Sequence, residues 1–293
     1  MRFHLIMATC GRVAEVAQFL ESLASQDGGE VLLTVVDQNP DDRLEAPLRR
    51  FRDRLAIEHL RQPRPGASAA RNLGLRDLRG DIVGFPDDDC LYPPGLLKGI
   101  ADFFEREPAD GLSVRILALD RDEDAFGFGP GRSGAIDHDS AWLCGVTPSL
   151  FFRRTLAAQL DFDDTMGPGR TWTGGEDTDY LLRCLDLGAR HFYSHELFIR
   201  HPMPALSRSL GALIAREFRY GRGFGYLLAR RRVEGAIVRD QLRFPWPLML
   251  ESIAAGDWQR AAICPGIGVG RVLGYLEGRR RIAKAPAAAP NGV

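Results

Sequence analysis

Residues 82–90 read Ile82-Val83-Gly84-Phe85-Pro86-Asp87-Asp88-Asp89-Cys90, a short apolar run that stops on three aspartates. The run is too short for a helix and suits a strand buried on both faces. The same grammar appears twice upstream. Phe3–Met7 is apolar and leads into Thr9-Cys10-Gly11-Arg12, and the β-branched run Val31–Val36 ends at Asp37-Gln38-Asn39. Between and beyond these runs the period changes. Val13, Val16, Ala17, Leu20 and Leu23 recur at helical spacing, Ala56–Leu60 is a weaker strand, and Ser68–Leu78 reads as a helix entered through Gly66. Pro93–Phe104 is expected to be a helix with prolines in its first turn. Strands and helices alternating in this way predict an α/β fold, a mainly parallel sheet flanked by helices and joined by right-handed crossovers. In such sheets ligands collect beyond the carboxyl ends of the strands, where the three polar clusters fall.

After Asp110 the spacing predicts strands at Leu112–Leu119 and Ser149–Phe152, a helix at Thr178–Leu187, and two further strands at Arg190–Ser194 and Leu197–Arg200. Asp120–Asp139, rich in Gly, Asp and Arg, has no period and is expected to be a loop or mobile lid. Past Pro204 the chain turns helical and arginine-rich, with an apolar stripe at Leu210, Leu213, Ile214 and Phe218. The Pro/Ala tail 285–293 is expected to be disordered.

A chain of 293 residues, 45% hydrophobic, can bury a sizeable core without disulfide or metal staples. Its net charge of -1 argues against a basic coat for nucleic acid, and no nucleic-acid partner is expected. That sum conceals a split: residues 1–201 carry 23 basic and 33 acidic side chains, whereas 202–293 carry 15 and 6. Cys10, Cys90, Cys144, Cys184 and Cys264 are scattered, with neither a disulfide framework nor a zinc spacing, which suits a reducing compartment. With no leader pattern and no long uncharged apolar run, the expectation is a cytoplasmic enzyme or binding protein.

Three clusters carry candidate chemistry. The triplet Asp87-Asp88-Asp89 concentrates negative charge that a hard cation such as Mg²⁺ or Mn²⁺ would compensate; an acidic turn before a helix would read the same. In Gly174-Gly175-Glu176-Asp177, two glycines permit close backbone approach, and carboxylates stand at the exposed mouth of a helix. There one could serve as a general base or merely cap the helix. In Gly66-Ala67-Ser68-Ala69-Ala70-Arg71-Asn72, small residues allow tight packing and Arg71 can meet a phosphate or sit in solvent. Trp142 and Trp172 could stack on a sugar or fill a core. His201 alone is a weak metal candidate.

Taken in order, T-x-G-R at Thr9–Arg12, V-V-D ending at Asp37, G-A-S-x-A-R-N-x-G from Gly66, F-x-D-x-D-x-x-x-x-P from Phe85 and G-G-E-D-x-D from Gly174 resemble a family 2 glycosyltransferase of the GT-A fold. The resemblance covers about residues 3–201. It implies a GT-A catalytic domain over 1–204, with a donor half to about 108 and an acceptor half from 109; the basic helical extension over 205–284 falls outside it. It implies donor binding by Thr9, Arg12, Asp37, Arg71, Asp87 and Asp88, and a divalent cation (Mg²⁺ or Mn²⁺) at Asp89 and His201. It further implies Asp177 as catalytic base with Glu176 beside it, and an acceptor bordered by Trp172, Gly174 and Gly175. Two departures stand out. Pro40 replaces a frequent serine, although Asp42 keeps the following acid, and Cys90 stands where a third aspartate is common.

The activity so implied is inverting transfer of a sugar from a nucleotide-diphosphate donor to a hydroxyl of a saccharide or lipid-linked acceptor, in a cell-envelope polysaccharide or glycoconjugate setting. A metal-dependent nucleotidyltransferase and a non-catalytic nucleotide- or carbohydrate-binding protein are the alternatives. The first would want a longer phosphate loop after the first strand, and the second has little use for a base. The arginines among aromatic and aliphatic residues past 204 suit either packing on the catalytic domain or peripheral contact with the inner face of the cytoplasmic membrane.

Overall fold

The computed structural model describes residues 1–125, 129–202, 209–231 and 233–284; the tail 285–293 and its expected disorder lie outside them. The chain divides into two units, Met1–Asp164 with Glu176–Ala205, and Thr165–Gly175 with Leu206–Val293. The segment 165–175 therefore leaves the span 109–204 in which the sequence set it.

In chain order the first unit holds β1 (Arg2–Thr9), α1 (Ala14–Ala24), β2 (Glu30–Asp37), α2 (Glu45–Phe51), β3 (Ala56–Arg61), α3 (Ala67–Leu75), β4 (Ile82–Gly84) and α4 (Leu96–Arg106). It continues through β5 (Gly111–Ala118), β6 (Gly134–Ile136), β7 (Leu150–Arg153), α5 (Arg154–Ala157), α6 (Glu176–Asp186) and β8 (His191–His201). The strands form one sheet in the order β3-β2-β1-β4-β7-β5-β8-β6. The β1–β2, β1–β4, β2–β3 and β5–β8 pairs are parallel, and β7 and β6 run antiparallel to their neighbours. Strand order reverses at β1, which lies between β2 and β4, so the crevice beyond its carboxyl end is where such a sheet binds ligand.

Side-chain alternation on β1 explains the layering. Phe3, Leu5 and Met7 point one way into a core with Val16, Phe19, Leu20 and Leu23 of α1 and Ile100 and Phe104 of α4. Ile6 points the other way, against α3, where a Cβ on Gly74 would collide with its Cγ2. Several local expectations are corrected. The prolines precede α4 rather than enter it, because Gly95 at φ 80° makes a left-handed turn before the first helical residue. α3 stops at Leu75, and α6 starts at Glu176, two residues early, which places its acids in the first turn. The two late strands are one: β8 passes through a bulge that moves its partnership from Val114–Ser194 to Arg115–Phe198.

The second unit holds α7 (Leu210–Arg230), α8 (Gly235–Arg243), α9 (Pro245–Ala254) and α10 (Trp258–Lys284). α7 and α10 pack backbone against backbone. A Cβ on Gly225 would strike the Arg271 carbonyl oxygen, and one on Gly274 the Arg222 carbonyl oxygen. An Arg222–Glu277 ion pair at 2.6 Å ties the same two helices. Trp172, from the 165–175 segment, packs here too, its indole stacked on Tyr226 at 4.0 Å.

Candidate active site

The Ala8–Asp87 bridge joins the ends of β1 and β4, so the aspartate triplet emerges beside Thr9. Thr9 Oγ1 donates to Asp88 Oδ2 at 2.7 Å. Arg12 pairs with Asp88 and, at 2.6 Å, with Asp89. Asp88 is thus taken up inside the protein; its pKa is raised by burial, against the pull of Arg12 and Thr9. Asp87 and Asp89 face His201, which arrives at the end of β8 with Nε2 3.6 Å from Asp87 and 3.3 Å from Asp89. Burial lowers the His201 pKa, but hydrogen bonds and charge from the two aspartates overcome it and push it up to about 10.

These three residues fit a divalent cation. One atom from each of Asp87, Asp89 and His201 lies within 4.8 Å of the others, and they form the sole such group among the described residues. Asp89 Oδ1 is buried and faces only His201 Nε2 at 3.3 Å among the contacts described, and His201 Nδ1 lies 2.8 Å from the Pro202 carbonyl, which leaves Nε2 aimed at the carboxylates.

Asp37, at the end of β2, is fully buried. Its Oδ1 accepts from the Asn39 backbone N–H at 2.8 Å and side-chain amide at 2.7 Å; Oδ2 lies 3.0 Å from His59 Nε2 and accepts from Arg61 at 2.9 Å. Burial raises its pKa, but these partners more than offset it and hold the carboxyl below the usual range. Asp37 is thus saturated by the chain itself, and Asp42 is paired with Arg61 at 2.9 Å. The sequence reading missed His59 and Arg61. Their signal was the parallel register, which sets Arg61 opposite Asp37, and the strand period, which puts His59 on the same face.

Arg71, on buried α3, links the two acidic clusters. It donates to Asp87 at 3.1 Å, and its other terminal nitrogen lies 3.6 Å from Glu176. An aromatic cluster sets this geometry. The Arg71 guanidinium lies over Phe162, which stacks on Tyr180 at 4.3 Å, and Tyr180 meets Phe85 and Phe152 edge-on. Tyr180 is one turn beyond Glu176, so the cluster fixes the start of α6.

Glu176 is 5% exposed, which corrects the expected open helix mouth. Asp177 is half-buried, with one oxygen accepting from the Thr147 backbone N–H at 3.4 Å and the other from Thr178 at 2.8 Å. Burial raises both carboxyl pKa values. Glu176 rises more, because the Asp177 charge adds to burial while Arg71 opposes it; in Asp177 the backbone donors and Arg71 hold the rise down. Burial and mutual repulsion thus favour retention of a proton by the pair, with Glu176 the more strongly raised of the two.

Trp172, Gly174 and Gly175 belong to the second unit and are buried there. Tyr226 covers the Trp172 indole, and the Arg222 and Arg281 guanidiniums lie 4.8 and 5.1 Å from its ring centre, so no face is open to a sugar. Gly174 has φ 89°, and a Cβ there would sit 2.9 Å from Tyr220 Cδ1, so the glycine makes room for α7. Trp142 is buried as well.

Residues 4–157 match the Glycosyl transferase family 2 profile. The chain is 26% identical over 278 residues to the succinoglycan biosynthesis protein ExoM of Rhizobium meliloti, covering 89% of this chain and 84% of that protein. Among solved structures it resembles S. aureus TarS in complex with UDP-GlcNAc, with a TM-score of 0.59, 16% identity and coverage of 95% and 92%. It also resembles the mannosyltransferase PcManGT from Pyrobaculum calidifontis in complex with GDP-Man and Mn²⁺, with a TM-score of 0.65, 18% identity and coverage of 94% and 86%. The fold is thus GT-A, and with more than half its length inside the profile the chain belongs to glycosyl transferase family 2.

Proposed function

We propose that this glycosyltransferase moves a sugar, with inversion, from a nucleotide-diphosphate donor to a hydroxyl acceptor in cell-envelope polysaccharide or glycoconjugate synthesis. The observation that carries the reading is the Asp87–Arg71–Glu176 chain, which joins two acidic clusters almost ninety residues apart at one sheet edge. The donor lies against Thr9, Arg12 and Arg71; Asp88 acts by holding Thr9 and Arg12, and Asp37 by fixing Asn39, His59 and Arg61 around it. Asp87, Asp89 and His201 would hold Mg²⁺ or Mn²⁺, which would supply electrostatic stabilisation of diphosphate charge. Asp177, ionised beside protonated Glu176, accepts the proton of the acceptor hydroxyl. The hydroxyl oxygen bonds the anomeric carbon as the bond to the diphosphate oxygen breaks; the nucleoside diphosphate leaves with that electron pair. One displacement inverts the centre without a covalent enzyme intermediate. Neutral Glu176 can donate a hydrogen bond to the acceptor.

Support comes from the family, from ExoM's named role in succinoglycan biosynthesis, and from the nucleotide-sugar complexes of TarS and PcManGT. The test is product analysis with a panel of UDP-, GDP- and dTDP-sugars, with and without Mn²⁺. Transfer with an inverted anomeric centre, lost on chelation, is expected. Retained configuration or metal-independent transfer refutes the mechanism.

A further inference from the structure

Eight of the twelve large hydrophobic side chains exposed among the described residues fall between Trp246 and Leu276, which makes this stretch of the second unit unlike the rest of the surface. They form two stripes. On α8 and α9, Arg239, Arg243, Trp246, Leu250 and Ile253 recur at steps of four and three and are all exposed. Phe244 between the two helices keeps helical angles, φ -45° and ψ -43°, so they share one face. On α10, Val269, Val272, Leu273 and Leu276 form a second face that ends at exposed Arg279 and Arg280. The stripes meet where the Trp246 indole lies over Gly268, whose Cβ would sit 3.0 Å from it. Trp258, 69% exposed, and Arg260 stand at the start of α10.

We propose that the α8–α9 and α10 faces form a docking surface that lies in the plane of an anionic phospholipid bilayer. Charge complementarity selects this occupant. Arginines stand at the ends of both stripes, while of the acids among these helices Asp240 is paired with Arg239 and Glu277 with Arg222. Exposed Glu234, Glu251 and Asp257 remain against Arg243, Arg260, Arg279 and Arg280. A second copy of the chain would bring arginine ends against arginine ends, whereas lipid phosphates neutralise them. Tryptophan suits the depth between headgroups and acyl chains. No helix among the described residues is long and apolar enough to cross a membrane, so these faces would lie on the bilayer rather than enter it. The inference is separate from the catalytic reading, since the vesicles used to test it carry neither donor nor acceptor.

The experiment is flotation of the full chain with vesicles of phosphatidylcholine alone and of phosphatidylcholine with phosphatidylglycerol. Of the four tryptophans, Trp142 and Trp172 are buried, so emission changes report on Trp246 and Trp258. Binding to the anionic vesicles with a blue shift, weakened by salt, is expected. Leu250→Gln with Trp258→Gln should weaken it about ten-fold per side chain. Arg243→Gln, Arg279→Gln and Arg280→Gln should each cost about five-fold, with folding checked by circular dichroism. Equal binding to neutral vesicles, undiminished binding of folded variants, or a salt-insensitive dimer abolished by the same substitutions overturns the proposal.

Discussion

Glu176→Gln separates the two carboxylates at the start of α6. Burial raises the Glu176 pKa in the folded protein, the Asp177 charge adds to it, and Arg71 only partly opposes it. In the unfolded chain Glu176 titrates near the ordinary value of about 4.3. Below that pH both states hold the proton and no stability difference exists. As pH rises, the unfolded state releases the proton while the folded state keeps it, so wild-type stability falls by about 1.4 kcal/mol per unit until the folded pKa is passed. Between pH 4.5 and 7 this single group therefore removes roughly 3–4 kcal/mol. Glutamine has the shape of the protonated side chain and does not titrate. The melting-temperature gap, variant minus wild type, should thus widen by roughly 6–15 °C over that range, at 2–4 °C per kcal/mol for a unit of this size. Because neutral Glu176 is the form proposed in the active enzyme, Glu176→Gln should keep transfer within about ten-fold of wild type. Thermal unfolding across the pH series and initial rates at pH 7 test both statements. A gap that does not vary with pH, or a rate loss as large as that of Asp177→Asn, would show that Glu176 is ionised and is itself the base.

Asp177→Asn should lower transfer about 10²–10⁴-fold with donor affinity unchanged by calorimetry; near-wild-type turnover removes Asp177 from the mechanism. Asp89→Asn or His201→Ala should weaken Mn²⁺ binding by at least about a hundred-fold, since even outer partners of metal ligands are worth 10–100-fold. Because His201 holds its proton up to about pH 10, Mn²⁺ affinity should also climb with pH through neutrality; a flat profile would place His201 outside the site. Gly274→Val drives a side chain into the Arg222 backbone carbonyl, which cannot yield cheaply, and should cost about 1–3 kcal/mol or more in thermal unfolding. An unchanged melting temperature would refute the close α7–α10 packing.

Most of the parallel half of the sheet was legible because its strands are continuous apolar runs that stop at polar clusters, as Ile82–Gly84 stops before Asp87. What escaped was set by partners distant in the chain. The break expected between Ser194 and Leu197 is a bulge, because β8 keeps its ladder with β5 on both sides of His195–Leu197. α2, β6 and α5 are short elements whose residues carry no period long enough to read, and the docking of β7 between β4 and β5 is invisible without the fold.

The candidate site divides along the same line. The aspartate triplet, Glu176 and Asp177 were legible because chemistry there requires acids, and acids written in clusters are conspicuous. Their states were not, since a pKa depends on burial and neighbours rather than on residue type. Asp37, expected at the donor, is saturated by the chain; Glu176 looked exposed and is buried; Trp172 could stack on a sugar or fill a core, and it packs under Tyr226. Each correction has one cause: the partner that fills the group is remote in sequence, as His59 and Arg61 are from Asp37, Arg71 from Glu176, and Tyr226 from Trp172. The near-zero net charge misleads for the same reason. Much of the first unit's acidic surplus is gathered at one sheet edge and balanced there by Arg12, Arg71 and His201, whereas the exposed arginines of α8–α10 have few acids of their own. Neutrality of the whole chain therefore says nothing about either surface. The split along the chain already separates the two charges in sequence; the fold adds the gathering of each onto one surface, the acidic edge where a cation is proposed and the basic faces where an anionic surface is.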